Sequence, residues 1–231
     1  MDTPTRLAHI IAEARKYVLS LGLGVASTSL IFYYFSPSLI RAVQKHLSQQ
    51  LAFYRVTEPF LAHVRFSISM ALFTLMPVIV FCFWRILGRS FELSRTGLFL
   101  FVFFTCLLFY AGAGFCYFIT LPFGVKFLLS YQSQQLKPVI AIGKFVSFVT
   151  IFVLAFGVIF ELPMFMIFGA KSGICPRKVF EKNRRFAILG ISIVAALLTP
   201  TPDVVNMALM ALPLYMLYET GIIVLKILKI P

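Results

Sequence analysis

The sequence predicts an all-α, polytopic membrane protein with six transmembrane helices, both termini cytoplasmic and the last two helices short. Three observations carry this reading. Of 231 residues, 60% are hydrophobic and only 13% are charged. A soluble domain averages roughly a quarter charged, so a water-facing surface cannot be built from this chain. The apolar residues fall in continuous runs, not in the alternating pattern of an outer-membrane barrel. The net charge of +13 comes from Lys and Arg that sit almost entirely between those runs, where membrane proteins carry their orienting charges. That placement argues against nucleic acid as the partner. A soluble enzyme, a disordered chain and a disulfide scaffold are excluded as well.

The runs lie at 17–35, 66–84, 98–125, 145–170, 186–198 and 204–225, within one integral membrane domain, 1–231. The first four are long enough to cross a hydrocarbon core. The fifth holds 13 residues and ends at Pro200 and Pro202, which cannot continue a helix. It is read as a span because the Lys- and Arg-rich stretch 171–185 precedes it and Asp203 follows it, so its two ends face opposite sides. Local bilayer thinning accommodates such a short helix at a fraction of a kcal/mol per Å.

Fourteen Lys and Arg fall on one set of connections and seven on the alternate set. The positive-inside rule places both termini with the fourteen, in the cytoplasm or its organellar equivalent. The N-terminal stretch carries Asp2 and Glu13 and no small-residue cleavage pattern, so it is not read as a cleaved signal. Two external connections are long. Stretch 37–51 has Leu39, Ile40, Val43 and Leu47 on one side and Arg41, Lys45 and Gln49 mostly on the other, an amphipathic helix. Stretch 131–138 is polar and ends in Pro, a loop.

Polar groups inside the runs mark candidate sites. Glu161 lies in FGVIFELP at 156–163. A carboxylate at mid-membrane costs about 2.5–3.5 kcal/mol on insertion scales, and Pro163 frees a carbonyl one turn earlier. It reads either as a polar pocket facing a partner helix or cavity, or as a structural hydrogen-bonding carboxyl. Glu219, late in the last run, reads as interfacial structure or as function. Asp203 reads first as the N-cap of the last span, and Glu58 is the other external acid. Glu13 beside Arg15, and Glu92 in the first inner loop, read as solvated pairs or as carboxylates gripping guanidinium groups; spacing alone favours the first. Cys82, Cys106, Cys116 and Cys175 lack paired spacing, and His9, His46 and His63 lack ligand spacing. No phosphate loop, HExxH helix or GxSxG elbow occurs, so no enzyme and no cofactor is indicated.

Taken together, several of these segments resemble the TatC subunit of the twin-arginine (Tat) protein translocase. They are VTEPF at 56–60, FGVIFELP at 156–163, KNRR at 182–185, LTPTPD at 198–203 and ALPLYMLYETG at 211–221. The resemblance runs through essentially the whole chain in order. It implies a six-helix, cup-shaped protein of the bacterial inner (cytoplasmic) membrane, with a thylakoid or mitochondrial membrane as second choice. It implies binding of twin-arginine signal peptides of folded cargo, assembly with single-span TatA and TatB, more than one copy of the chain in the complex, and transport driven by the proton gradient. Under it, Glu13 and Arg15 correspond to an N-terminal Glu-x-Arg of the signal-peptide site, Glu92 to an acid of the first inner loop, and Glu161 to the fourth-helix glutamate that faces a partner helix. The chain departs from the family pattern at His9, four residues before Glu13 instead of three, and at Cys82 and Met207, where many members have Gln. Arg65 stands where Lys is common. The alternative from another class is a proton-coupled small-solute transporter using Glu161, which an inverted repeat would favour; none is found.

Overall fold

A computed structural model describes residues 3–47, 51–90, 94–129, 140–198 and 204–228. Nine α-helices account for nearly all of them. They are α1 (Thr3–His46), α2 (Glu58–Ser90), α3 (Arg95–Phe115), α4 (Leu121–Leu129), α5 (Ile142–Ile159), α6 (Leu162–Lys171), α7 (Arg177–Lys182), α8 (Arg184–Leu198) and α9 (Val204–Ile227). Cys116–Thr120 joins α3 to α4 as a π-helical turn. Two short strands, β1 (Leu51–Ala52) and β2 (Ile140–Ala141), pair in parallel with Leu51 opposite Ile140. Five stretches are long and apolar enough to cross a membrane: Tyr17–His46, Glu58–Gly88, Arg95–Lys126, Ile142–Lys171 and Met210–Ile227. The fifth run lies in α8, whose 15 residues extend about 22 Å, short of a typical hydrocarbon core of about 30 Å. The protein is an α-helical polytopic membrane protein.

The chain divides into two compact units, Met1–Cys106 with Pro138–Leu154, and Leu107–Lys137 with Ala155–Pro231. In the first, α1 runs antiparallel to α2. Gly24 of α1 lies by Leu75 of α2, Tyr33 packs edge-on against Phe60, and Ser36 meets His63. The amphipathic stretch that begins at Pro37 is not a separate helix but the continuation of α1 to His46. Pro37 has no N–H to give the Tyr33 carbonyl. The Ser36 hydroxyl donates to that carbonyl instead, at 2.8 Å, so the helix passes the proline without an orphaned acceptor. Beyond it Ile40 and Leu47 are buried. Ile40 and Val43 share one contact region with Phe66 of α2 and Phe145, Val146 and Val149 of α5, which is the apolar face expected of this stretch. Gln49 and the loop 131–138 lie outside the described residues.

Polar side chains pin the same unit. The Trp84 indole N–H donates to Thr105 Oγ1 at 2.9 Å while its ring stacks at 4.7 Å on Phe101, tying α2 to α3. Arg65 donates to Ser147 Oγ at 3.0 Å, tying α2 to α5. Glu58 accepts the Tyr54 N–H at 2.9 Å and lies over Gly143, where a Cβ would stand 3.3 Å from Glu58 Cγ.

In the second unit, glycines allow close helix approach. A Cβ on Gly157 would stand 2.5 Å from the Phe109 ring, and one on Gly112 2.5 Å from Phe160. Each helix therefore sets an aromatic ring into the other's glycine notch, the small-residue packing typical of membrane interiors. Gly221 of α9 lies in the same way under Met166 of α6. The run 145–170 is two helices, not one, with the break at Phe160 and Glu161. Pro163 cannot donate to the Ile159 carbonyl, and a tight turn from Glu161 N to Val158 O (3.1 Å) carries the chain across. After α6, Gly173 at φ 75° closes the helix end, a conformation that favours glycine.

The Gly157 notch yields a stability prediction. Gly157→Leu is expected to lower the melting temperature of the detergent-solubilised protein, because overpacking costs about 1–3 kcal/mol. Gly22→Ala, with no atom within 4 Å of its added Cβ, should leave it unchanged. Equal melting of both variants would remove the α3–α5 notch as a stability determinant.

Candidate functional site

The acids that the sequence singles out and the structure describes belong to different elements. Glu13 and Arg15 belong to the backbone of α1; Glu92 and Asp203 lie outside the described residues. Glu58 stands at the start of α2, where a carboxylate complements the positive helix end, and its hydrogen bond to Tyr54 N–H fixes the turn that leads into the helix.

Glu161 sits in the break that Pro163 creates, and only 3% of its surface is exposed. Its backbone carbonyl accepts the N–H groups of Met164 and Phe165 at 2.9 and 3.1 Å, so the residue caps α6 through its main chain. On the same stretch of chain lies an open apolar groove of about 460 Å³. Val158, Ile159 and Leu162 line it on one side, Ala187 and Ile191 of α8 on another, and Leu214 and Tyr218 of α9 complete it. Glu161 flanks this groove in sequence and is not part of its lining. A groove of this composition takes an apolar side chain or helix face, and it offers few polar anchors of its own.

On the same part of α9, from Tyr215 to Lys226, the structure assembles a polar cluster that sequence spacing shows only in part. Glu219 accepts from Tyr215 Oη at 2.8 Å and from Arg184 Nη2 at 3.1 Å. Glu181 pairs with Arg177 at 3.3 Å and with Lys226 at 3.5 Å. Tyr218 Oη donates to the Phe180 carbonyl at 2.7 Å. Tyr215–Glu219 and Arg177–Glu181 are i,i+4 pairs, legible in any helical reading. Arg184–Glu219 is not, because 35 residues separate the partners. Glu219 is thus an anchor holding α8 to α9, a structural position for one of the two readings its sequence allows.

His63 and Ser36 form a further pair unmarked by spacing, with Ser36 Oγ 2.8 Å from His63 Nδ1. The Ser36 hydroxyl also reaches the Tyr33 carbonyl at 2.8 Å, so the serine ties His63 of α2 to the backbone of α1. The four cysteines are free thiols. Among the described residues no group of three His, Cys, Asp or Glu is placed to hold a metal ion.

Comparison with known proteins bears on the whole chain. The family model for the Sec-independent protein translocase protein (TatC) matches residues 9–213. The TatC protein of Carboxydothermus hydrogenoformans is 32% identical over 233 residues, covering 99% of this chain and 96% of that protein. The TatC protein of Escherichia coli (strain K12) is 29% identical over 228 residues, covering 96% and 88%. A crystal structure of the twin arginine translocase receptor TatC in DDM superposes with a TM-score of 0.81 at 28% identity, covering 93% of this chain and 98% of that one. With the family model matched from His9 to Pro213 and the helical fold shared over nearly the full length, the chain belongs to the Sec-independent protein translocase protein (TatC) family.

Proposed function

We propose that this chain is the receptor and core subunit of a twin-arginine protein translocase, acting as one integral membrane domain with both termini in the cytoplasm. The observation that supports this best is the shared fold with the solved twin arginine translocase receptor, at a TM-score of 0.81 over 93% of the chain. The fourteen-to-seven Lys and Arg asymmetry supports the orientation, and bacterial relatives support the inner membrane. TatA and TatB, further copies of the chain and the surrounding bilayer are the proposed partners, and the proton gradient is the energy source. Neither the fold nor the relatives support the proton-coupled solute transporter.

In this reading Glu13 and Glu92 bind the paired arginines of the signal peptide, and Arg15 belongs to the same signal-peptide site. A guanidinium offers a planar fork that matches a carboxylate in two parallel hydrogen bonds, which an ammonium cannot do. The apolar part of the signal then follows an apolar helix face, and the groove between α6 and α8 has the composition such a segment needs. Glu161 is the polar contact for a partner helix in this reading. A hydrogen bond between helices in lipid contributes about 0.6–2 kcal/mol. Asp203 caps the last span in this reading, while Glu58 and Glu219 serve structure.

A twin-arginine signal peptide is expected to bind the detergent-solubilised chain at least about tenfold more tightly than its twin-lysine counterpart, at 1–3 kcal/mol per charged hydrogen-bonded contact. Glu13→Gln with Glu92→Gln should abolish that preference. Equal binding of the two peptides to the unaltered chain would refute the receptor reading.

Glu161→Gln should reduce co-purification of the single-span subunits by several-fold, leaving peptide affinity and melting temperature unchanged. A change in melting temperature with normal co-purification would instead assign Glu161 to the fold.

A further inference from the structure

The connection between α6 and α8 carries two rows of basic residues with different surroundings. The inner row is Arg177 and Arg184, which pair with Glu181 and Glu219 at 3.3 and 3.1 Å. Lys226 of α9 joins it by pairing with Glu181 at 3.5 Å, and Tyr218 Oη holds the Phe180 carbonyl at 2.7 Å. These contacts press one face of α7 and the first turn of α8 onto α9. The outer row is Lys178 and Lys182, four residues apart on one side of α7, with Arg185 in the first turn of α8. All three are exposed, and none has a carboxylate within ion-pair distance among the described residues. Exposed apolar side chains stand among them: Ile174 is 65% exposed, Val179 39% and Phe186 73%.

We infer that this outer face of 174–186 is a binding surface for anionic phospholipid headgroups. The orienting-charge rule accounts for basic residues in the connection. It does not account for their sorting, in which both carboxylates neutralise the inner row and leave the outer row charged. A lipid phosphate supplies the missing counter-charge, and Lys and Arg near an anionic leaflet each strengthen binding about fivefold. Val179 within the row, and Ile174 and Phe186 flanking it in sequence, suit the acyl boundary below the headgroups. Free phosphate would leave those apolar groups in water. The surface also lies between the end of one apolar helix, α6, and the start of another, α8, so it stands beside a bilayer by its position in the chain. Nothing in this inference depends on the receptor reading, since no signal peptide takes part.

The test uses the delipidated full chain in neutral detergent, titrated with phosphatidylglycerol or phosphatidylcholine of identical acyl chains. Native mass spectrometry counts the lipids retained, and melting temperature monitors the fold. The unaltered chain is expected to prefer phosphatidylglycerol at least about tenfold. The variant Lys178→Gln/Lys182→Gln/Arg185→Gln should lose that preference while keeping its lipid-free melting temperature. The charge-conserving variant Lys178→Arg/Lys182→Arg/Arg185→Lys should retain it. If the Gln triple variant melts early, Lys178→Gln and Lys182→Gln tested singly should each weaken retention about fivefold. Equal retention of both lipids by the unaltered chain overturns the inference, as does a preference that survives all the Gln changes. Displacement of phosphatidylglycerol by an equimolar acidic peptide would overturn it in favour of a protein partner.

Discussion

In a hydrocarbon environment every backbone donor and acceptor must find its partner within the protein, and the architecture follows from how this chain meets that demand around its prolines. At Pro37 the lost N–H is offset locally, because the Ser36 hydroxyl takes the Tyr33 carbonyl and α1 continues unbroken. At Pro163 there is no such neighbour, and the chain breaks instead, with Glu161 in the gap. The same residue type therefore gives a continuous helix in one place and two helices in another. Pro77 and Pro213 also lie inside unbroken helices, α2 and α9, with no hydroxyl on the residue before them.

Interrupted helices still have to pack, and lipid removes most of the hydrophobic driving force for doing so. Close fit and hydrogen bonds replace it. Phe109 over Gly157 and Phe160 over Gly112 are the close fit. Trp84 to Thr105, Arg65 to Ser147 and Arg184 to Glu219 are the hydrogen bonds. Each joins different helices, so each places two stretches that sequence separation leaves unrelated. The apolar side chains that stay exposed, such as Leu23 and Leu30 on α1, are suited to lipid and to incoming helices.

These features bear directly on function. A receptor for a peptide with paired arginines and an apolar stretch needs acids near the membrane surface and an apolar track beside them. The groove lined by α5, α6, α8 and α9 has the apolar lining that the proposed track calls for. The break at Glu161 adds a buried carboxyl next to it in sequence.

The sequence by itself determined the fold class, the apolar runs, the basic bias of alternate connections and the position of Glu161 beside a proline. All of these are properties of composition and local spacing, which a chain carries before it folds. The i,i+4 pairs Tyr215–Glu219 and Arg177–Glu181 were legible for the same reason. Only the tertiary structure decided that the stretch after Pro37 continues α1 and that Leu51–Ala52 pairs with Ile140–Ala141. It also decided that Glu219 anchors Arg184, and that Lys178, Lys182 and Arg185 are exposed and make no ion pair with the carboxylates that neutralise their neighbours. Hydrophobicity records which residues leave water, and it is nearly uniform within each apolar run. Which helix meets which is settled by notches, rings and polar partners many residues apart, and those become neighbours only when the helices pack.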